Sequence, residues 1–229
     1  TVGFNAIAIV VSMAASVIFA VLLYGFTSKI AVRCYQTISI LPSYLSWVIV
    51  SFLVYGFLSP TGGILNNILV KLGMETVDWY QNPKPWWCIL LICRIWQGTG
   101  MGSVLYYSTL LNVDETYFEA AKLDGANKFQ IFRYVMVPSL LSLMIFNLTL
   151  SVGGIFGGDF GLFYNVTKNS SALYPTTDII PTYIYRLLMG NNDIGMSSAA
   201  GLLQSVIACF LVVVTNLIIR KYEPDKSLF

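Results

Sequence analysis

Histidine is absent from the 229 residues, and charged side chains are scarce at 10%. The first absence removes the commonest metal ligand and general base, which argues against a zinc or haem centre, against any other metal site and against a Ser–His hydrolytic centre. The second absence concerns the surface. A water-soluble domain carries about 25% charged residues. This chain has too few to clothe a water-facing exterior, and its 56% hydrophobic content makes the bilayer the fitting solvent. The four cysteines (Cys34, Cys88, Cys93, Cys209) form no CxxC and no metal spacing, and read as small apolar helix residues. There is no GxxxxGK[ST] phosphate loop, no internal repeat and no low-complexity segment. A net charge of +2 gives no footprint for nucleic acid.

What is present is a series of long apolar runs, at 4–26, 44–58, 86–111, 138–158 and 198–219. They predict five spans of an all-α, polytopic transmembrane helical bundle. The second run is short for ~30 Å of hydrocarbon and reaches across if the 38–42 approach contributes. Residues 64–85 read as an external connector with an amphipathic patch. Trp79, Tyr80, Trp86 and Trp87 crowd its end, where a membrane–water interface is expected. No Asp, Glu or His lies in any of the five runs. That argues against the proton relays and cation sites of an ATP-independent channel or ion-coupled transporter. A membrane enzyme would want a catalytic group near the interface, and no acidic pair stands at an obvious spacing.

The cations set the orientation. Alternating span ends hold Lys29, Arg33, Lys122, Lys128, Arg133, Arg220, Lys221 and Lys226 on one side. The other side holds Lys71, Lys84, Lys168 and Arg186. The positive-inside rule puts the first set, with the C-terminus, in the cytoplasm and Thr1 outside. An outside start without a signal is awkward, and one further span upstream is expected to repair it.

Between the third and fourth runs lies a polar interval, residues 112–138, shaped for a partner. Asn112 is expected to cap a helix, with Glu115 at its third position. That helix would run to about Asp124 and end at Gly125, with a second short helix from about Ala126. Pro138 would sit in the first turn of the next span. Two short helices bent at a glycine would project as a knob. Ala120 and Ala121 would form its flat face, and Glu119 would be a charge at the edge.

Glu119-Ala120-Ala121, three residues, Gly125, nine residues, Val135, one residue, Val137-Pro138 resembles the EAA loop of ABC importer permeases, with valine in place of the usual isoleucine and leucine. Leu41-Pro42-Ser43-Tyr44-Leu45-Ser46-Trp47-Val48, Gly62-Gly63-Ile64-Leu65-Asn66-Asn67, Ile95-Trp96-Gln97-Gly98 and Ala199-Ala200-Gly201-Leu202-Leu203-Gln204-Ser205-Val206 are similar to the LplB-like branch of carbohydrate-uptake permeases. The resemblance covers about residues 6–221. It implies a type I ABC importer permease fold, a single permease domain over 1–229 with its coupling loop at 112–138, and residence in a bacterial cell membrane. It further implies a sugar or oligosaccharide as cargo, with a non-sugar solute as the alternative. The expected partners are a second permease in a heterodimer, two ATPase subunits that hold ATP and magnesium, and an extracellular sugar-binding protein. No cofactor and no catalytic residue is expected in this chain. Glu119, Ala120, Ala121, Asp124, Gly125 and Pro138 would carry ATPase coupling.

Side chains for the sugar path are sought within the spans. Arg94 lies about 12 Å along the helix from Trp86, and it either snorkels, pairs structurally or lines the path. Asn147 either glues helices or meets substrate. Trp96, Gln97 and Tyr106 offer amide and aromatic faces. In the polar outer segment 159–197, Tyr164, Asn165, Asp178, Tyr183, Tyr185 and Arg186 could meet the binding protein, or the segment is a solvated loop with interfacial tyrosines.

Overall fold

The computed structural model describes residues 1–191 and 193–222, and those residues form helices, turns and loops without a strand. The long helices are α1 (Val2–Tyr24), α5 (Trp86–Leu111), α8 (Val137–Gly153) and α11 (Ile194–Tyr222). Between them lie α2 (Lys29–Ile40), α3 (Trp47–Leu58), α4 (Ile64–Lys71), α6 (Glu115–Leu123), α7 (Lys128–Ile131), α9 (Tyr174–Thr177) and α10 (Ile180–Asn191). Four helical stretches are long and apolar enough to cross a membrane, or five if the bent α2–α3 pair counts as one. Lys226, counted above with the cytoplasmic cations, lies outside the described residues.

The structure corrects the second span. α2 does not extend α3 in a line, because the pair bends by 99° across the 3₁₀ turn Leu41–Tyr44. The local chemistry explains the corner. Pro42 cannot donate to a continuing α-helix. Ser46 then restarts one by accepting the Ile49 N–H at 3.4 Å. α3 has 12 residues, or ~18 Å, too few to cross alone.

The fourth span is corrected too. It begins not at Pro138 but at Lys128, as one 26-residue helical stretch to Gly153. Pro138 is therefore interior. Its missing N–H is accommodated by a π turn at Phe132–Met136, in which the Val137 N–H reaches back five residues to the Phe132 carbonyl.

The chain divides into two compact units. One comprises Thr1–Ile7, Leu45–Arg94 and Gly153–Phe210. In it α3 packs on a π turn at Leu162–Val166, and Phe4 meets the Phe163 ring edge-on at 4.9 Å. Trp86 and Tyr80, two of the aromatic residues crowding the end of the connector, are buried in this core. The Trp86 indole N–H donates to the Trp79 carbonyl at 2.7 Å, which removes the cost of burying it. Asn66 on α4 ties down the connector by bonding the Val77 carbonyl at 2.9 Å and accepting the Val77 N–H at 3.1 Å. The outer segment is no solvated loop: Leu162, Phe163, Val166, Leu173 and Ile179 are all buried.

The other unit comprises Ala8–Tyr44, Ile95–Val152 and the chain from Leu211. Its core is Val17, Ala20, Tyr106, Leu110 and Leu140. Gly100 lets α5 approach the α2 backbone closely, since a Cβ there would fall 1.8 Å from the Ser39 carbonyl oxygen. Ser43 secures the same approach by donating to the Gln97 carbonyl at 2.7 Å.

Candidate functional site

The projecting corner starts two residues later than the sequence suggests. Asp114, not Asn112, caps α6, its Oδ1 accepting the Thr116 N–H at 2.9 Å. Asn112 turns back and donates to the Ser108 carbonyl. The Thr116 backbone N–H, helped by its hydroxyl, holds the Asp114 carboxyl below its ordinary range. At the far end the Gly125 N–H bonds the Lys122 carbonyl and the Ala126 N–H the Ala121 carbonyl, a Schellman closure with Gly125 at φ +77°. Asn127 and Gln130 then form a reciprocal capping box for α7. The second short helix exists, but it is the first turn of the fourth span rather than a separate piece.

α6 has two faces. Phe118 is buried and stacks on Tyr24 at 5.4 Å. Glu115, Glu119 and Lys122 share that side and border a cavity of about 950 Å³, walled by the end of α1 and by Ile131 and Phe132. The other side carries Tyr117, Ala120, Ala121 and Asp124 at helical spacing. Leu123 at its tip is 89% exposed and Phe129 beyond the corner 67%. Glu119 thus borders the cavity, opposite the face that its alanine neighbours help to form. Leu123 was missed in the sequence, though an apolar residue immediately before a helix-ending Asp-Gly was a readable signal.

The span residues separate into two groups. Tyr106 is buried, and its hydroxyl accepts from the Asn147 amide at 3.3 Å, joining α5 to α8. Trp96 is exposed on the flank of α5, and the Gln97 carbonyl holds Ser43. Arg94 belongs elsewhere: its Nη1 donates to Asn5 Oδ1 at 2.9 Å. Asn5 in turn donates to the Ile155 carbonyl at 2.8 Å. Nearby, Asp159 accepts the Trp47 indole N–H at 2.8 Å and the Leu162 N–H at 3.1 Å. Asn5, Trp47 and Asp159 were not singled out in the sequence. Asp159, the one acid between Asp124 and Asp178, directly follows Gly157-Gly158 and could have been.

The outer set also splits. Asp178 pairs with Arg186, whose guanidinium lies 4.1 Å over the Tyr174 ring. Tyr164 and Tyr185 pack with Phe160, unnoticed in the sequence, at 5.0–5.1 Å. A hydrogen bond between the two phenols raises the Tyr164 pKa. Asn165 closes on the Gly161 carbonyl, and Tyr183 is exposed apart from these contacts.

Residues 12–226 match the family described as "Binding-protein-dependent transport system inner membrane component". The chain belongs to this family. Protein LplB of Bacillus subtilis (strain 168) is 28% identical over 211 residues, covering 92% of this chain and 66% of that protein. The polygalacturonan/rhamnogalacturonan transport system permease protein YteP of the same organism is 26% identical over 193 residues, 83% of this chain and 59% of the relative. The permease chain therefore spans about two thirds or less of the length of these two relatives. A bacterial alginate ABC transporter, crystallised in complex with an alginate pentasaccharide-bound periplasmic protein, superposes with a TM-score of 0.89 at 27% identity. That match covers 96% of this permease and 76% of the other chain. The all-α permease architecture is thereby established, and the family is a membrane transport component.

Proposed function

We propose that this permease is the membrane-spanning half of an ATP-driven importer of oligosaccharides or polysaccharide-derived sugars. It pairs with a second, different permease, and two ATPase subunits supply ATP and magnesium. An extracellular binding protein delivers the sugar. The described chain acts as one permease domain, with residues 112–138 on the cytoplasmic side of a bacterial cell membrane.

The observation that carries the reading is the α6–Gly125 corner, an apolar tip set on a capped, rigid helix. Tyr117, Leu123 and Phe129 are exposed there. Such a tip suits a groove on a soluble partner, with the aromatic and leucine anchors filling pockets. Ala120 and Ala121 allow close approach, and Glu119 tunes the cavity side. Gly125 and Asp124 set the corner, and Pro138 couples it to α8 through the π turn. Closure of the ATPases would move the corner and rock the permease between inward-facing and outward-facing states. Arg94, Trp96, Gln97, Tyr106 and Asn147 are the proposed sugar-path residues. Tyr164, Asp178, Tyr183, Tyr185 and Arg186 are the proposed contacts for the binding protein, with Asn165 shaping their turn. The relatives named for polysaccharide and alginate transport support the sugar class.

The test is co-purification of the full-length permease with its neighbours. It should carry ATPase subunits, and ATP hydrolysis should require them and rise with a sugar-loaded binding protein. A permease that transports without any ATPase would sink the proposal.

A further inference from the structure

The Arg94 backbone sits about 12 Å along α5 from its start, inside an apolar stretch where a charge is costly and marks a path or a pairing. A pairing would require an acid in contact. Asp159 is near enough to act on Arg94 electrostatically. Its two oxygens, however, accept from the Trp47 indole and the Leu162 N–H. The ion pair in contact among the described residues is Arg186–Asp178. Among those residues Asn5 is the hydrogen-bond partner of Arg94. Asn5 is almost fully buried, and its amide is oriented by its own bond to Ile155, so its oxygen faces the guanidinium. Gly158, at φ +69°, brings the chain past Asn5 with little room to spare, a Cβ there lying 3.2 Å from the amide nitrogen.

The arrangement aims a guanidinium and leaves most of its fork uncommitted. Among the described residues one of its five donors is used, by Asn5, and the Asp159 carboxylate, bonded to Trp47 and Leu162, makes no contact ion pair with it. A planar fork with free N–H groups is matched by a carboxylate, which takes two of them side by side. We infer that Arg94 reads a carboxylate on the cargo, so that the transported saccharide is acidic and uronate-bearing. Asp159 balances the charge of Arg94, and Asn5 positions the guanidinium. This rests on the import reading above and adds the substrate class.

The experiment uses the full complex in proteoliposomes, with oligogalacturonates, oligoalginates and oligoglucuronates, each beside its carboxyl-reduced neutral counterpart. Wild type should take up at least one uronate series in preference to its reduced form. Arg94→Gln should lower that uptake roughly tenfold or more, and lower it further than it lowers neutral uptake. Arg94→Lys, which keeps charge but loses the fork, should fall between. Asp159→Asn should leave the acidic preference intact or increase it. Should Arg94→Gln fail to assemble, the lysine variant decides, by whether acidic uptake falls more than neutral. A complex that imports only neutral saccharides overturns the inference and leaves the import reading standing. So does an equal loss of both series in Arg94→Gln, which would assign the guanidinium to helix packing or to a lipid phosphate. A complex that imports no saccharide of any kind overturns both readings.

Discussion

Gly125 is the residue whose backbone most constrains the corner. At φ +77° it occupies the left-handed region, yet no heavy atom lies within 4 Å of where its Cβ would be. The obstacle to substitution is conformational and not steric, so graded side chains should give graded effects. Alanine should cost ~1–2 kcal/mol, asparagine less and valine more. We expect Gly125→Val to insert and assemble normally while sugar-stimulated ATP hydrolysis is lost; hydrolysis at the wild-type rate would show that the bend is dispensable. Leu123 gives the complementary test. Being 89% exposed, it contributes almost nothing to this chain's own packing. Leu123→Ser should therefore leave thermal stability unchanged and still reduce retention of ATPase subunits on the purified permease. Ala121→Trp should reduce it more than Glu119→Lys, and Glu119→Gln least, because overpacking costs ~1–3 kcal/mol and a surface ion pair only ~0.2–1. Equal retention in all four would remove α6 as the docking surface.

α6 is nine residues long, too short to hold itself in water. Its ends and its buried Phe118 do that. The Asp114 cap works as an anion, since the carboxylate accepts the Thr116 N–H. With its pKa depressed in the folded chain, its contribution is fully present above the ordinary carboxylate value. It fades as pH falls through the lowered folded value. Amide exchange at Thr116, compared with Gln130 behind the neutral Asn127 cap, should reveal this: Thr116 loses protection first on acidification, and Asp114→Asn removes the difference. Parallel loss at both sites would mean that the cap charge is not what steadies α6. The α2–α3 corner was only half readable in the sequence. Pro42 announced a break, but neither its 99° angle nor the Ser43 bond to the Gln97 carbonyl, far away along the chain, was legible there.

The distribution of cations predicts a side for the whole molecule. Lys122 and Lys128 flank the corner, whereas Lys71, Lys84 and Lys168 belong to the opposite set of loops. In sealed cells expressing the full-length protein, cysteines at 122 and 128 should react only after permeabilisation. Cysteines at 71, 84 and 168 should react from outside. External labelling at 128 would invert the topology and end the ATPase-docking role together. One substitution in this test has a second effect: Lys168 Nζ lies 3.1 Å from the Tyr55 ring centroid, so a cysteine there also removes a cation–π contact worth ~0.5–1 kcal/mol at an exposed site.

The sequence alone determined the class, four of the five apolar runs as long helices, and the α6–Gly125 corner, because each rests on a signal local to the chain. Apolar runs need no partner to be read as spans. Glu119-Ala120-Ala121 with Gly125 carries its own helix end, and α5 occupies the 86–111 run as expected. Tertiary structure decided what depends on residues far apart in sequence. Trp86 is buried with its indole N–H satisfied by the Trp79 carbonyl. The 159–197 segment folds because α3 offers a surface to the Leu162–Val166 turn. Asp159 is bonded by Trp47 and Leu162 and makes no contact ion pair with Arg94, and those residues come together only when the chain has folded.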